Sequence, residues 1–201
     1  PDGELDLESS LENNPFLDEA AHIQVARQEP KRFACVAMLD CSSSMSGDKH
    51  LLASVAVAVL LLQVAAEDAG VVAFHSKAQV VKPMGTLAPA QDTILKYLQT
   101  RPRGFTNITQ GLVKGYEQTL HSNRRRVGLL ATDGRYTEGG DPVAAARRFD
   151  FLAVLHLHGP GSSLEASQAI AQAGHGICLE VNEMPELPAQ LYEALRRISR
   201  Y

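Results

Sequence analysis

Five short apolar runs, "FACVAMLD" (33–40), "GVVAFHS" (70–76), "RVGLLAT" (126–132), "FLAVLHLH" (151–158) and "GICLEV" (176–181), recur along the chain with little polar interruption. A strand whose alternate faces are both apolar must be covered on both, as in a parallel sheet wrapped by helices. Stretches with helical spacing lie between the runs, roughly 48–67, 90–100, 109–121, 141–148, 163–173 and 186–199. Several open on a capping residue or an N1 proline, such as Asp141-Pro142. One more strand, "QVVKPMG" (79–85), follows the second run after a connection containing Ser76 and Lys77. That length allows a hairpin but no parallel crossover, so an antiparallel edge strand is expected, where Pro83 is tolerated. The pattern predicts an α/β fold: a doubly wound, Rossmann-like, mostly parallel sheet with one antiparallel edge strand and helices on both faces.

One segment is open to two readings. Val55, Val57 and Val59 alternate as in a strand, yet the apolar run from Leu51 to Ala66 is too long for one and rich in Ala and Leu, so helix is expected. The run is about four residues short of a bilayer span and contains Ser54 and Gln63, which predicts a buried helix and no membrane anchor. With 201 residues, the chain has the length of one domain with a tail. Residues 1–30 are acidic and polar with weak periodicity and are expected to form a linker or arm, leaving 31–201 as the folded domain. The net charge of −4 gives no bulk attraction to nucleic acid or to an anionic membrane. The basic clusters at 124–126, Arg147-Arg148 and Arg196-Arg197 lie at different element ends without interleaved aromatics, which favours solvated surface. Cys35, Cys41 and Cys178 are an odd number without CxxC spacing, which suggests a reducing compartment, and Cys35 and Cys178, inside apolar runs, read as buried thiols.

In a doubly wound sheet, ligands bind beyond the carboxyl ends of the strands. The first such end is "MLDCSSSMSGDKH" (38–50), where Asp40 closes the strand and Ser42 and Ser44 follow at alternate positions. In an extended loop their oxygens can converge with the carboxylate, a donor set of the hard kind that magnesium, manganese or calcium prefers. Alone, the pattern is equally that of a serine-rich helix cap. Two later loops change the balance: "RGFTNIT" (103–109) offers Thr106 before a helix, and "LLATDGRYTEGG" (129–140) offers Asp133 after the fourth strand.

This combination resembles the von Willebrand factor type A domain and its metal-ion-dependent adhesion site, whose pattern is D-x-S-x-S, then a threonine, then an aspartate after the fourth strand. The resemblance covers about residues 31–200. It implies that Asp40, Ser42, Ser44, Thr106 and Asp133 form an intact site for Mg2+, with Mn2+ or Ca2+ as substitutes. It also implies a non-enzymatic domain whose metal keeps one open position for an Asp or Glu of a protein partner. Ser43 departs from the family, where glycine is common between the two serines, so a strained or differently cupped loop is expected there. The missing disulfide pattern and compact loops are similar to the intracellular microbial branch. That branch implies a cytoplasmic domain working beside an AAA+ ATPase, as in MoxR-associated proteins and the D subunit of magnesium chelatase. Coupling of the metal to the last helix, 186–199, is a further implication of the family.

Other classes fit less well. A phosphoryl-transfer enzyme of the haloacid dehalogenase type needs a second carboxylate two residues after the first, where this chain has Ser42. No G-x-x-x-x-G-K-[ST], G-x-G-x-x-G or G-x-S-x-G occurs. His156 and His158 alternate at a strand end and read as hydrogen-bonded structural residues before they read as a metal pair. Asn107 matches a glycosylation acceptor, but a glycan beside Thr106 would obstruct the site.

Overall fold

A computed structural model describes residues 4–5, 25–26 and 33–200 of the chain, which divides after Arg32 into two units. In the first, β1 (Glu4–Leu5) pairs antiparallel with β2 (Val25–Ala26), Glu4 opposite Ala26 and Leu5 opposite Val25. The rest of the linker or arm expected over 1–30 lies outside the described residues.

The second unit is built on β3 (Phe33–Asp40), whose residues after Phe33 are all buried. β3 lies between β4 (Ala69–Phe74) and β6 (Arg125–Thr132), parallel to both. β5 (Ala78–Lys82) runs antiparallel to β4 and forms one edge, as the short connection requires, with Pro83 just past its end. β7 (Phe151–Leu157) and β8 (Cys178–Val181) continue the sheet in parallel on the other side, giving the order β5-β4-β3-β6-β7-β8. The chain winds outward from β3 to β4 and β5, then crosses back to β6, so the switch in winding direction falls between β3 and β6.

Among the described residues six α-helices cover the sheet: α1 (Asp48–Gln63), α2 (Ala90–Leu98), α3 (Ile108–Thr119), α4 (Val143–Ala146), α5 (Leu164–Ala173) and α6 (Leu187–Arg200). Cys35, Ala37 and Leu39 of β3 pack with Leu60 of α1, Tyr97 of α2 and Ile198 of α6 in one core, while Val36 and Met38 pack with Leu112 of α3 and Ile170 of α5 in the other. The fold is therefore the expected mostly parallel sheet with one antiparallel edge and helices on both faces.

Two element ends differ from expectation. α1 stops at Gln63 because Val64 turns extended (φ −111°, ψ 139°) and residues Ala66–Asp68 form a separate 3-10 turn. Asp68 is held there by the Arg124 guanidinium, a pairing distant in sequence. The helix expected over 141–148 shortens to Val143–Ala146, since the Asp141 side chain accepts the Val143 N–H at 2.9 Å in a turn that precedes it. The three valines of α1 do follow helical geometry: Ala53, Ala56, Val57 and Leu60 form its buried face, and Val55 is exposed. No helix among the described residues is long and apolar enough to cross a membrane.

Candidate functional site

β3 and β6 end side by side, Leu39 opposite Ala131, so the residues that follow them meet at the switch point. Asp40 is the last residue of β3 and Asp133 the first after β6, and both are fully buried. Asp40 Oδ1 accepts the Ser42 N–H at 2.9 Å, and Oδ2 accepts the Thr132 hydroxyl at 2.8 Å. Burial pushes the Asp40 carboxyl up to about 6; the bonds from Ser42 and Thr132 hold it down in part, and the Asp133 charge adds to the rise. Asp133 Oδ1 accepts the Arg135 N–H at 3.2 Å, and Oδ2 takes the Lys49 ammonium at 3.1 Å. Gly134 has φ +77°, and a Cβ there would lie 2.1 Å from the Ser163 carbonyl, so only glycine lets the chain turn away beneath Asp133.

After Asp40 the chain enters a 3-10 turn, Ser43–Met45, that places Ser42 Oγ 3.2 Å from Ser44 Oγ. Ser42 and Met45 are buried while Ser43 faces out. The strain expected at Ser43 is not found: among the described residues, His175 is the one non-glycine with positive φ. The Ser43 side chain instead gains a bond, since its hydroxyl and its N–H both donate to the Gly104 carbonyl, at 3.1 and 3.3 Å.

Thr106 is held on the neighbouring loop through its own N–H and carbonyl. Its N–H donates to Thr137 Oγ1 at 3.1 Å, and its carbonyl accepts the N–H groups of Thr137 and Glu138 at 2.9 and 3.1 Å. The residue is 4% exposed. Asn107 caps α3 by accepting the Gln110 N–H at 2.9 Å, and it is buried against Gly139, where a glycan has no room. The Arg103 N–H donates to the Cys41 carbonyl at 2.9 Å, so the loops 41–47, 101–107 and 133–140 are stitched together at one sheet edge. Of the five residues expected from sequence, Ser42, Ser44, Thr106 and Asp133 thus sit on these loops, and Asp40 closes the strand that leads into the first.

The donor chemistry suits a hard divalent cation: two buried carboxylates, one of them only partly compensated, and three hydroxyls. Among the described residues no three His, Cys, Asp or Glu side chains gather as a metal cluster, and the set above contains only two carboxylates. His156 is buried with Nδ1 2.9 Å from Ser167 Oγ, a structural placement, whereas His158 is exposed. Arg101, Arg103 and Arg135 are exposed on two of these loops, 101–107 and 133–140. Cys35, Cys41 and Cys178 are free, and burial pushes their thiols up to between about 11 and about 12.

Two participants were not legible in the sequence. Thr132 reads there as an ordinary strand end, and only the β3–β6 pairing brings it to Asp40. Lys49 reads as a solvated residue of the first helical turn. A cation that close after a carboxylate-bearing loop was the available signal, but its partner lies 84 residues away.

The family model of the von Willebrand factor type A domain matches residues 35–135, which include all five of these positions. Among solved structures, the chain is similar to an aerotolerance-related membrane protein from Bacteroides fragilis NCTC 9343. It shares 18% identity with it over 84% of this chain and 100% of that one, with a TM-score of 0.66. BatB from Bacteroides thetaiotaomicron is 20% identical over 83% of this chain and 98% of its own, with a TM-score of 0.67. Proximal thread matrix protein 1 from the mussel byssus, solved with a zinc-occupied MIDAS motif, is 19% identical at a TM-score of 0.69. There 84% of this chain spans 48% of the mussel protein. At such identities the likeness is one of fold. Comparison with curated protein sequences gives no match.

Proposed function

This chain belongs to the von Willebrand factor type A domain family, and on that premise we propose that it is a metal-dependent protein-interaction module. Domains of this family are commonly interaction modules of that kind, generally without enzymatic activity of their own. Asp40, Ser42, Ser44, Thr106 and Asp133 hold a magnesium ion, for which Mn2+ or Ca2+ can substitute, and an Asp or Glu of a protein partner completes its shell. The observation that carries the reading is the pair of fully buried carboxylates flanking the switch point, with Asp40 pushed up to about 6 by burial and, in lesser part, by the Asp133 charge. Two carboxylates and neutral hydroxyls leave a bound divalent ion its Lewis acidity, which an incoming carboxylate can use. The exposed Arg101, Arg103 and Arg135 steer an acidic surface toward that position. The zinc-occupied motif of the mussel protein supports a divalent ion in this fold.

The same reading takes an AAA+ ATPase assembly as the partner and the cytoplasm of a microbial cell as the setting, and the three free thiols fit a reducing compartment. Residues 1–30 then serve as the linker and 31–201 as the module. Ser42 stands where a phosphoryl-transfer enzyme would need an acid, and its hydroxyl lies 3.2 Å from another hydroxyl, Ser44 Oγ.

Calorimetric titration and thermal melts with magnesium and manganese test the reading. The parent should bind and, at about a hundred times Kd, gain on the order of 2.7 kcal/mol, roughly 5–10 °C in Tm. Asp40→Ala should do neither; equal behaviour of the two overturns the metal site. An aryl phosphate should not be turned over, and turnover lost in Asp40→Ala would establish the enzyme instead. Capture of the ATPase partner should require magnesium and fail in chelator.

A further inference from the structure

Lys49 enters the site from the first turn of α1 and lays its ammonium 3.1 Å from Asp133 Oδ2, with side-chain exposures of 13% for the lysine and 0% for the aspartate. Room for the lysine arm is made by Gly159: a Cβ there would lie 2.6 Å from Lys49 Cε and 2.7 Å from Nζ. Gly159 does not have the positive φ that favours glycine, so its side-chain-free character serves the lysine and not the backbone. Beside the ammonium opens a cleft of about 520 Å3 whose walls include Asp48, Leu52, His158 and Glu183.

Resting on the metal reading above, we infer that Lys49 is a built-in counter-ion of Asp133 that a divalent cation must displace, and that it thereby sets the affinity of the site. A buried carboxylate without a cation is costly, and the ammonium removes that cost. The same oxygen cannot hold an ammonium and a divalent ion at contact distance, because two like charges would face each other where solvent screens them poorly. Loading is therefore an exchange of one cation for another. The displaced ammonium has a cleft to enter, and Asp48 and Glu183 supply carboxylates on its walls. Such an exchange lowers the affinity and makes the site respond to the concentration of the ion.

Titration calorimetry with magnesium chloride on the intact chain, in four forms, tests this. Lys49→Met removes the competing charge. Gly159→Ala keeps the lysine but pushes it off Asp133, and Asp133→Asn removes the shared carboxylate. Lys49→Met and Gly159→Ala should each bind magnesium about two- to fivefold more tightly than the parent, the worth of one ion pair near the solvent boundary. In chelator, Lys49→Met should melt several degrees lower, because Asp133 is left buried and unpaired. Asp133→Asn should not bind. Equal affinities in the parent and both variants, or weaker binding in them, overturn the role of Lys49 while leaving the metal site standing. Absence of binding in all four forms removes the metal site itself, and Lys49's role with it. Should Lys49→Met fail to fold, Gly159→Ala decides the question.

Discussion

Asp40 accepts two hydrogen bonds, from Ser42 and Thr132, and among the described residues no cation lies within ion-pair distance of it. Burial moves its carboxyl from an ordinary 3.8 to about 6, a step worth roughly 3 kcal/mol. Because the folded value is raised, the contribution to stability is fully present below pH 3.8 and is lost as pH rises through about 6. In chelator, Asp40→Asn, which keeps the shape without the charge, should therefore be the more stable protein at pH 7.5. Its advantage should shrink toward zero as melts are repeated down to pH 4.5, and a pH-independent difference would show that burial of the charge is not the cause. Added magnesium should reverse the order at pH 7.5, since only the parent presents two carboxylates. The sequence carried the five oxygen-bearing residues as a spaced motif, because metal ligands leave side-chain identities at fixed intervals. It could not carry Thr132 or Lys49, whose roles depend on which strand lies beside which.

α3 approaches the sheet closely because its inner face is glycine at two positions one turn apart. A Cβ at Gly111 would lie 2.5 Å from Cδ1 of Phe74, and one at Gly115 would lie 2.3 Å from Sδ of Met38. The neighbours differ in kind: a fully buried ring in a close-packed core cannot move aside, whereas a thioether has three soft torsions. Gly111→Ala should thus lose about 1–3 kcal/mol by overpacking, visible as a lower denaturation midpoint. Gly115→Ala should lose less, its gain in helix propensity offsetting up to about 1 kcal/mol. The reverse ranking would mean that Met38 is the stiffer wall. Asn107 caps α3 and Thr106 precedes it, so Gly111→Ala should also weaken magnesium binding while Gly115→Ala leaves it nearly unchanged. Helix identity was legible here from period and capping. The closeness of packing was not, since glycines inside a helical stretch read simply as weak helix formers. The helix ends at Gln63 and Val143 were misjudged for a related reason: a turn anchored by Asp68 to a distant arginine, and another closed by Asp141 on a neighbouring N–H, both override local periodicity.

Across the whole sheet, the site is a consequence of winding order. Starting at β3, moving out to β5 and returning to β6 forces the loops after β3 and β6 away from each other's connections, and the space between them is where Asp40 and Asp133 meet. The alternation of apolar runs and helices was enough to predict such a sheet, but the placement of β6 beside β3 follows only from the pairing itself, Phe33 opposite Arg125 through Leu39 opposite Ala131. Three loops from separate segments therefore share one site, joined by hydrogen bonds from Ser43 to Gly104, from Arg103 to Cys41 and from Thr137 to Thr106. A cation bound at their junction stabilises all three together, because opening any one loop releases it. Amide hydrogen exchange of the intact chain should accordingly show slowed exchange in 41–47, 103–107 and 133–139 on adding magnesium, all with the same concentration dependence. The edge strands β5 and β8, remote from the switch point, should be unaffected, and Asp133→Asn should abolish the effect in all three loops at once. Protection confined to 41–47 would mean that the ion is held by the Asp-Ser-Ser turn alone and that the winding of the sheet contributes nothing to its capture.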